Sequence, residues 1–219
     1  MKNIIVVGDS FCSAQQVWPT QLADYLGLNL VGQGISGGSW WPVRHFLMSL
    51  PQETIDATEV VVFAHTSSGR IPTVNQDLGR FDYRSQPQNE MQTAVQLYYK
   101  YIFDDQFLDW AQQQWFREID QLWGHKKICH LHCFPWTVRY QHLLSGLTVQ
   151  PNLSAISLNE ISAKDLNLFD DTRPNHFNEH NNCVLAQELA RMISSGLSGV
   201  QHLNLDLFDQ PTRSWLEWH

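Results

Sequence analysis

The sequence predicts an α/β fold in which a mostly parallel sheet of about five strands is covered by helices on both faces. Two observations predict it. Short runs rich in Val, Ile and Leu alternate with stretches of helical periodicity, and those runs have the length and composition of buried parallel strands. The chain has 219 residues, enough for one hydrophobic core. We expect one domain over residues 1–196 and a C-terminal tail, residues 197–219, to which the sequence assigns no structure.

Five apolar runs are the strand candidates. They are residues 3–7, 28–31, 59–64, 127–134 and 153–158. Helical spacing predicts the segments that connect and cover these strands. These are residues 18–27, which Gly27 ends, residues 41–50, residues 91–123, which Asp104 and Asp105 divide in two, and residues 179–193. The third strand is followed by a polar stretch, residues 65–90, which predicts either a long loop at the functional edge of the sheet or a locally ordered lid.

The charge and hydropathy of the chain exclude several classes of partner. Acidic residues number 22 against 14 basic residues, a net charge of −8, so neither a general nucleic-acid binder nor a protein held on an anionic membrane is expected. No apolar run approaches the ~20 residues that cross a bilayer. The N-terminal apolar run is too short for a signal peptide, and the four cysteines lack the spacing of a disulfide scaffold. We expect a cytoplasmic protein, with carriage to a surface by a larger assembly left open.

The tripeptide Gly-Asp-Ser at residues 8–10 directly follows the first predicted strand. A serine at that place lies where parallel sheets bind ligands, and its own N–H can stabilise an oxyanion. Gly, Asp and Ser are also ordinary turn residues, so a structural turn is the alternative. The tripeptide alone makes Ser10 a candidate nucleophile.

Two further motifs support that candidate. The turn after the second strand, residues 32–38, is rich in glycine, whose missing Cβ lets backbone approach a substrate closely. His176 lies in the loop before the last helix, where it can act as general base to Ser10. Together, Gly-Asp-Ser at 8–10, Gly-Ile-Ser-Gly at 34–37 and His-x-Asn at 176–178 resemble the SGNH, or GDSL, hydrolase family.

The resemblance spans about residues 3–195 and implies an SGNH-hydrolase-like domain over residues 1–196 with a flavodoxin-like three-layer α/β/α sandwich. It also implies roles for three residues and an enzyme that requires no cofactor. Ser10 is the nucleophile, Gly34 donates an oxyanion-hole N–H beside that of Ser10, and His176 is the base.

The sequence departs from the family at the third oxyanion donor, which in the family is an asparagine after the third strand. Thr66 stands at that position here. A hydroxyl can donate one hydrogen bond, but its reach differs from that of an amide. We expect Thr66 to be the donor, with His65 or Ser67 as alternatives.

A second departure concerns the acid that orients His176. The family has an aspartate three residues before the histidine, and this position is Arg173 here. We expect Asp171 to take the role; Asp170 and a backbone carbonyl, which would leave a dyad, are the alternatives.

Other conspicuous residues allow both a functional and a structural interpretation. One ring of the pair Trp40 and Trp41 can line an acyl or sugar subsite beside Ser10, or the pair can belong to the core. Arg70, at the mouth of the predicted cleft, can bind an anionic group or be solvated.

Two histidine patterns invite comparison with metal sites. On a strand, residues 129–133 place the two cysteines on one face and the two histidines on the other, so these side chains do not converge on one ion. His176 and His180 have a spacing that can bind metal on a helix, but the serine-hydrolase motifs already account for His176. We therefore predict no metal.

The motifs predict a serine hydrolase that cleaves an ester through an acyl-enzyme. The family resemblance and the tryptophans suggest an O-acetyl or other short acyl ester on a carbohydrate or small molecule. One alternative is a catalytically degenerate member of the family that binds a glycan or acyl ligand without turnover. Another is a flavodoxin-type phosphate binder that uses the glycine turn. The sequence does not give the oligomeric state.

Overall fold

A computed structural model describes residues 2–14, 16–32, 34–70, 90–157 and 177–209. Its centre is a six-stranded, all-parallel sheet in the order β2-β1-β3-β4-β5-β6. The strands are β1 (Asn3–Gly8), β2 (Asn29–Val31), β3 (Thr58–His65), β4 (Lys127–His132), β5 (Leu147–Gln150) and β6 (Gly199–His202). The helices are α1 (Trp18–Leu26), α2 (Trp40–Met48), α3 (Gln52–Ala57), α4 (Glu90–Tyr101), α5 (Asp105–Trp123) and α6 (Glu179–Ser194). The α/β prediction is confirmed, with one strand more than expected.

Helices cover both faces of the sheet. Along β1, Ile4 and Val6 lie in one apolar cluster while Ile5 and Val7 lie in another, because successive side chains of a strand point to opposite faces. The first cluster includes buried residues of α1 and α6, and the second includes those of α2 and α5. This arrangement confirms a three-layer α/β/α sandwich.

The helix boundaries follow the local signals in the sequence. Gly27 ends α1 in the left-handed conformation, with φ of 65°, which glycine adopts without steric cost. Asp104 caps α5 by accepting hydrogen bonds from the N–H groups of Gln106 and Phe107 at 2.8 and 3.2 Å, so the helical stretch divides where the sequence predicts. No helix in the described ranges is both long and apolar enough to cross a membrane.

The predicted fifth strand, residues 153–158, is wrong. The fifth strand is β5, and Leu153–Ile156 instead forms a 3₁₀ turn. Pro151 directly follows β5 and has no N–H to donate to a ladder, which explains why the strand stops there. Leu153 and Ile156 are fully buried in the turn, so their apolar character reflects burial without strand pairing.

The segment that the sequence left as an unassigned tail continues the fold. Gly199–His202 pairs with β5 as the edge strand β6. Beyond it, Leu203 and Phe208 are buried in the same apolar cluster as α6. The folded body therefore extends past residue 196, as far as Asp209.

The strand order fixes where a ligand site is expected. The chain passes from β1 outward to β2 and then returns to add β3 on the other side of β1. In open parallel sheets, such a reversal leaves a crevice outside the carboxyl ends of the two strands concerned. Here those are the ends of β1 and β3.

Candidate active site

Ser10 lies at this crevice. β1 ends at Gly8, and Ser10 begins a short 3₁₀ turn, Ser10–Cys12, directly after Asp9. A Cβ added to Gly8 would lie 2.4 Å from the carbonyl oxygen of Ala64, so glycine lets the ends of β1 and β3 approach closely. Ser10 is 7% exposed, and no described residue is hydrogen bonded to its hydroxyl. The hydroxyl is thus held at the expected edge without a partner in the described chain.

Asp9 organises the loops around Ser10. Its carboxylate is fully buried and accepts four hydrogen bonds. They come from the Phe11 N–H at 3.0 Å, the Cys133 thiol at 3.2 Å, the Thr66 hydroxyl at 2.8 Å and the Arg70 Nη1 at 2.9 Å. Burial and the Asp9 charge raise the pKa of the Cys133 thiol well above its usual range, so it stays a protonated donor. One side chain thereby joins the segments that follow β1, β3 and β4.

Gly34 is close to Ser10, but its N–H is engaged. It donates to the Cys12 carbonyl at 2.9 Å. A Cβ at Gly34 would lie 2.1 Å from the Asp9 carbonyl oxygen and 2.5 Å from the Cys12 sulfur. Glycine is therefore required for close approach to the turn that carries Ser10. As placed here, this N–H already has an acceptor within the protein, which does not favour its predicted role as an oxyanion donor.

Gly37, in the same glycine-rich turn, has an N–H that no described residue engages. Its φ is 73°, and no described residue accepts a hydrogen bond from its N–H. By contrast, the N–H of Gly38 donates to the Ile35 carbonyl at 2.8 Å, and that of Ile35 donates to the Gly8 carbonyl at 3.1 Å. Among Gly34, Ile35, Gly37 and Gly38, Gly37 is the one whose N–H no described residue occupies.

Thr66 is likewise committed to the protein. Its hydroxyl donates to Asp9, which does not favour its predicted role as an oxyanion donor. The alternative donor Ser67 accepts a hydrogen bond from the Gly69 N–H at 3.2 Å through its hydroxyl oxygen, which leaves the hydroxyl proton available.

His65, the other alternative, belongs to a buried histidine pair. His130 Nε2 lies 2.9 Å from the Ser145 carbonyl, which only accepts, so His130 carries its proton on Nε2 and its Nδ1 accepts from His65 Nε2 at 3.0 Å. Burial lowers the pKa of His130 to about 3 and that of His65 well below its usual range. The His65 Nε2 proton is thus directed away from an oxyanion.

The strand that contains His130 has the predicted alternation. Cys129 and Leu131 lie in the α1/α6 cluster, whereas the rings of His130 and His132 lie within 5.3 Å, centre to centre, of the His65 ring on the other face. In the described part of the chain, no three His, Cys, Asp or Glu side chains are placed to hold a metal ion.

Trp40 both packs and lines a cleft. Its ring stacks on that of Trp115 with the centres 6.2 Å apart. The cleft, of about 280 Å³ including open solvent, lies beyond the carboxyl ends of β1 and β3. Its lining includes Trp40, Val43, Phe63, Trp115, His65, Thr66 and Gln112. Its lining is apolar with a few polar groups, and its accessible volume, about 10 Å³, is room for about one water molecule.

Arg70 lies at the centre of the site, held by three loops. Nη1 donates to Asp9 and, at 3.0 Å, to the carbonyl of buried Gly38. The guanidinium carbon lies 5.7 Å from the centre of the Phe134 ring. Arg70 is therefore neither simply solvated nor free: it forms an ion pair inside the protein.

The predicted base His176 and the candidate acids Asp170 and Asp171 lie outside the described residues. The next residue, Phe177, is buried, and its ring centre lies 5.6 Å from that of Phe11. The neighbour of the predicted base thus contacts the neighbour of Ser10.

The start of α6 is fixed next to this contact. Asn178 caps the helix by accepting from the Asn181 N–H at 2.8 Å, and Asn182 accepts from the Trp18 N–H at 3.2 Å. Sequence reasoning identified the position of Ser10 but missed the Asp9 network, whose members are up to 124 positions apart in the chain. No family model, curated protein or solved structure matches this chain.

Proposed function

We propose that the protein is a serine hydrolase that cleaves a short acyl ester, such as an O-acetyl group on a carbohydrate or small molecule, with Ser10 as nucleophile and His176 as base. One observation carries the proposal. The Ser10 hydroxyl lies at the crevice between β1 and β3 with no described partner, and Phe11 beside it packs on Phe177, the residue after His176.

The reaction proceeds in two steps. His176 takes the proton of the Ser10 hydroxyl, whose oxygen attacks the ester carbonyl carbon. The ester C–O bond breaks, the alcohol leaves with the proton from His176, and the acyl group stays on Ser10. Water, deprotonated by His176, then attacks the acyl-serine and releases the acid and the free enzyme.

The oxyanion formed in each step needs preorganised donors. The N–H groups of Ser10 and Gly37 are the backbone candidates, with the Ser67 hydroxyl as a third donor. Losing one of these three donors would cost about 2.7–4 kcal/mol of transition-state stabilisation. If the Ser67 hydroxyl does not reach the oxyanion, the two backbone donors alone should therefore give a slower enzyme. The orienting group of His176 remains Asp171, with Asp170 or a backbone carbonyl as alternatives.

A second candidate function is a catalytically degenerate protein of the same fold that binds a glycan or acyl ligand. The observation that favours it is the commitment of two expected donors, the Gly34 N–H and the Thr66 hydroxyl, to acceptors within the protein. The retention of Ser10 and His176 together favours the hydrolase.

Hydrolysis of 4-nitrophenyl acetate by matched variants tests the proposal. Ser10→Ala should lower kcat/KM by about a thousandfold or more, because it removes the attacking oxygen. Ser49→Ala is the control: its hydroxyl donates to the Phe46 carbonyl just past the end of α2, and the activity should stay unchanged. Equal rates for Ser10→Ala and the wild type would leave the binding function as the better account.

A further inference from the structure

Toward the described residues, Arg70 uses one corner of its guanidinium. Nη1 makes both of its hydrogen bonds, to Asp9 and to the Gly38 carbonyl. No described residue accepts from Nε or Nη2, which together form the edge that matches a carboxylate. We propose that this open edge of Arg70 binds a carboxylate of the ligand, so that the preferred ester carries an anionic group close to the scissile bond.

Two other arginines in the chain show what a filled edge looks like. Nε and Nη2 of Arg44 donate to the two carboxylate oxygens of Glu118, both at 2.7 Å. The same atoms of Arg191 donate to Glu188, both at 3.1 Å. Arg70 contacts Asp9, the residue before Ser10, and its edge lacks such a carboxylate among the described residues. The contrast identifies a guanidinium edge that no carboxylate of the described residues fills.

The surroundings of Arg70 favour an anionic ligand. The ion pair and the Phe134 ring fix the guanidinium, so little side-chain entropy is lost when a ligand binds. Its side chain is 18% exposed, so the group is partly desolvated yet accessible. Asp9 offsets part of the Arg70 charge, but it contacts Nη1, so the Nε and Nη2 donors of the edge are not used by it.

The proposed carboxylate site lies next to the segment that carries the nucleophile, because Arg70 contacts the residue before Ser10. Asp9, the Arg70 partner, directly precedes Ser10. A ligand carboxylate on Arg70 would therefore place the rest of a small ester within reach of the Ser10 hydroxyl. The inference rests on the proposed function for the ester, but the carboxylate site can be tested without turnover.

Binding of a matched pair of inert ligands provides that test. The charged probe is 4-acetamidobenzoate, and the neutral probe is 4-acetamidobenzamide; neither contains an ester, because each has an amide in place of the acetyl ester. Titration calorimetry on Ser10→Ala protein should give at least about tenfold tighter binding of the charged probe, as a bidentate charge-assisted pair provides. In Ser10→Ala/Arg70→Gln protein the preference should fall to about one.

Two further variants separate the contribution of the Nε–Nη2 edge of Arg70 from the effect of changing any arginine or of losing a positive charge. Arg44→Lys changes a paired arginine on α2 and should keep the full preference. Arg70→Lys retains a positive charge opposite Asp9 but loses the planar edge, so its preference should fall at least about threefold even if Arg70→Gln fails to fold. Melting curves without ligand establish which variants are folded.

Equal binding of the two probes to Ser10→Ala protein would overturn the inference, as would no measurable binding of the charged probe at millimolar concentration. An unchanged preference in the folded Arg70 variants would also overturn it. Loss of ester hydrolysis with the binding preference intact would instead refute the proposed function alone.

Discussion

Replacing Asp9 by Asn probes the buried carboxylate that joins the loops of the site. Asn presents one oxygen, which can serve two of the four donors, and turns an N–H₂ group toward the other two. Arg70 then lacks its counter-charge while its side chain is only 18% exposed. Breaking a buried pair by removing one partner costs about 3–5 kcal/mol, and the partial exposure of Arg70 favours the lower end, about 3 kcal/mol.

Urea unfolding of Asp9→Asn and the wild type measures this difference as a free energy of unfolding. For a chain of this length, about 3 kcal/mol also corresponds to roughly 6–12 °C of melting temperature. The matched control is Glu118→Gln, which breaks the Arg44 pair, where both side chains are 31% exposed. That exposed pair should contribute about 0–1 kcal/mol. Similar losses in the two variants, or a loss below about 1 kcal/mol for Asp9→Asn, would refute the network.

Three further predictions concern the titratable residues His176, Asp171 and His130. The rate of hydrolysis by the wild type should rise with pH through one ionisation at about 6–7, since neutral His176 is the active base. His176→Ala should abolish hydrolysis. A flat pH profile would remove His176 from the mechanism. Asp171→Asn should lower kcat by several orders of magnitude with Asp170→Asn nearly silent, whereas losses below about tenfold in both would indicate a dyad. Below about pH 6.5, His130 becomes protonated in the unfolded chain, but it stays neutral in the folded protein, where its pKa is about 3. The free energy of unfolding, measured by urea titration, should therefore fall by about 2 kcal/mol from pH 7 to 5. The histidine resonance of folded His130 should not titrate in that range; a titration midpoint near 6.5 would contradict the burial argument.

The fold could be predicted largely because its central strands are apolar and its helices carry local end signals. β1 and β3 each contain a continuous apolar run, and Gly27 and Asp104 mark helix ends by their own chemistry. β6 gives no such signal, because most of this edge strand is exposed and it contains Gly199 and His202. The sequence pattern predicted the fifth strand at residues 153–158 and not at β5, because Leu153–Ile156 is the more apolar segment. That segment is buried without pairing in the sheet.

The site was predictable only where a residue's position in the chain determines its place on the sheet. Ser10 follows β1 directly, so its location at the sheet edge needs no tertiary information. The Asp9–Arg70 pair joins residues 61 positions apart, and no local pattern indicates it. Gly34 shows the same limit: the need for close approach was correct, but the approach is to the turn at residues 9–12, not to a substrate.

Mapping the adduct of a fluorophosphonate probe tests the central claim, an activated Ser10, most directly. The full chain would be treated with the probe at pH 7.5, digested and analysed by mass spectrometry for the phosphonylated peptide. We predict a single adduct on Ser10 that is lost in His176→Ala and retained in Ser49→Ala, since the nucleophile needs its base but not a remote serine. A folded wild-type protein that stays unlabelled, or carries its adduct on another serine, would contradict the account.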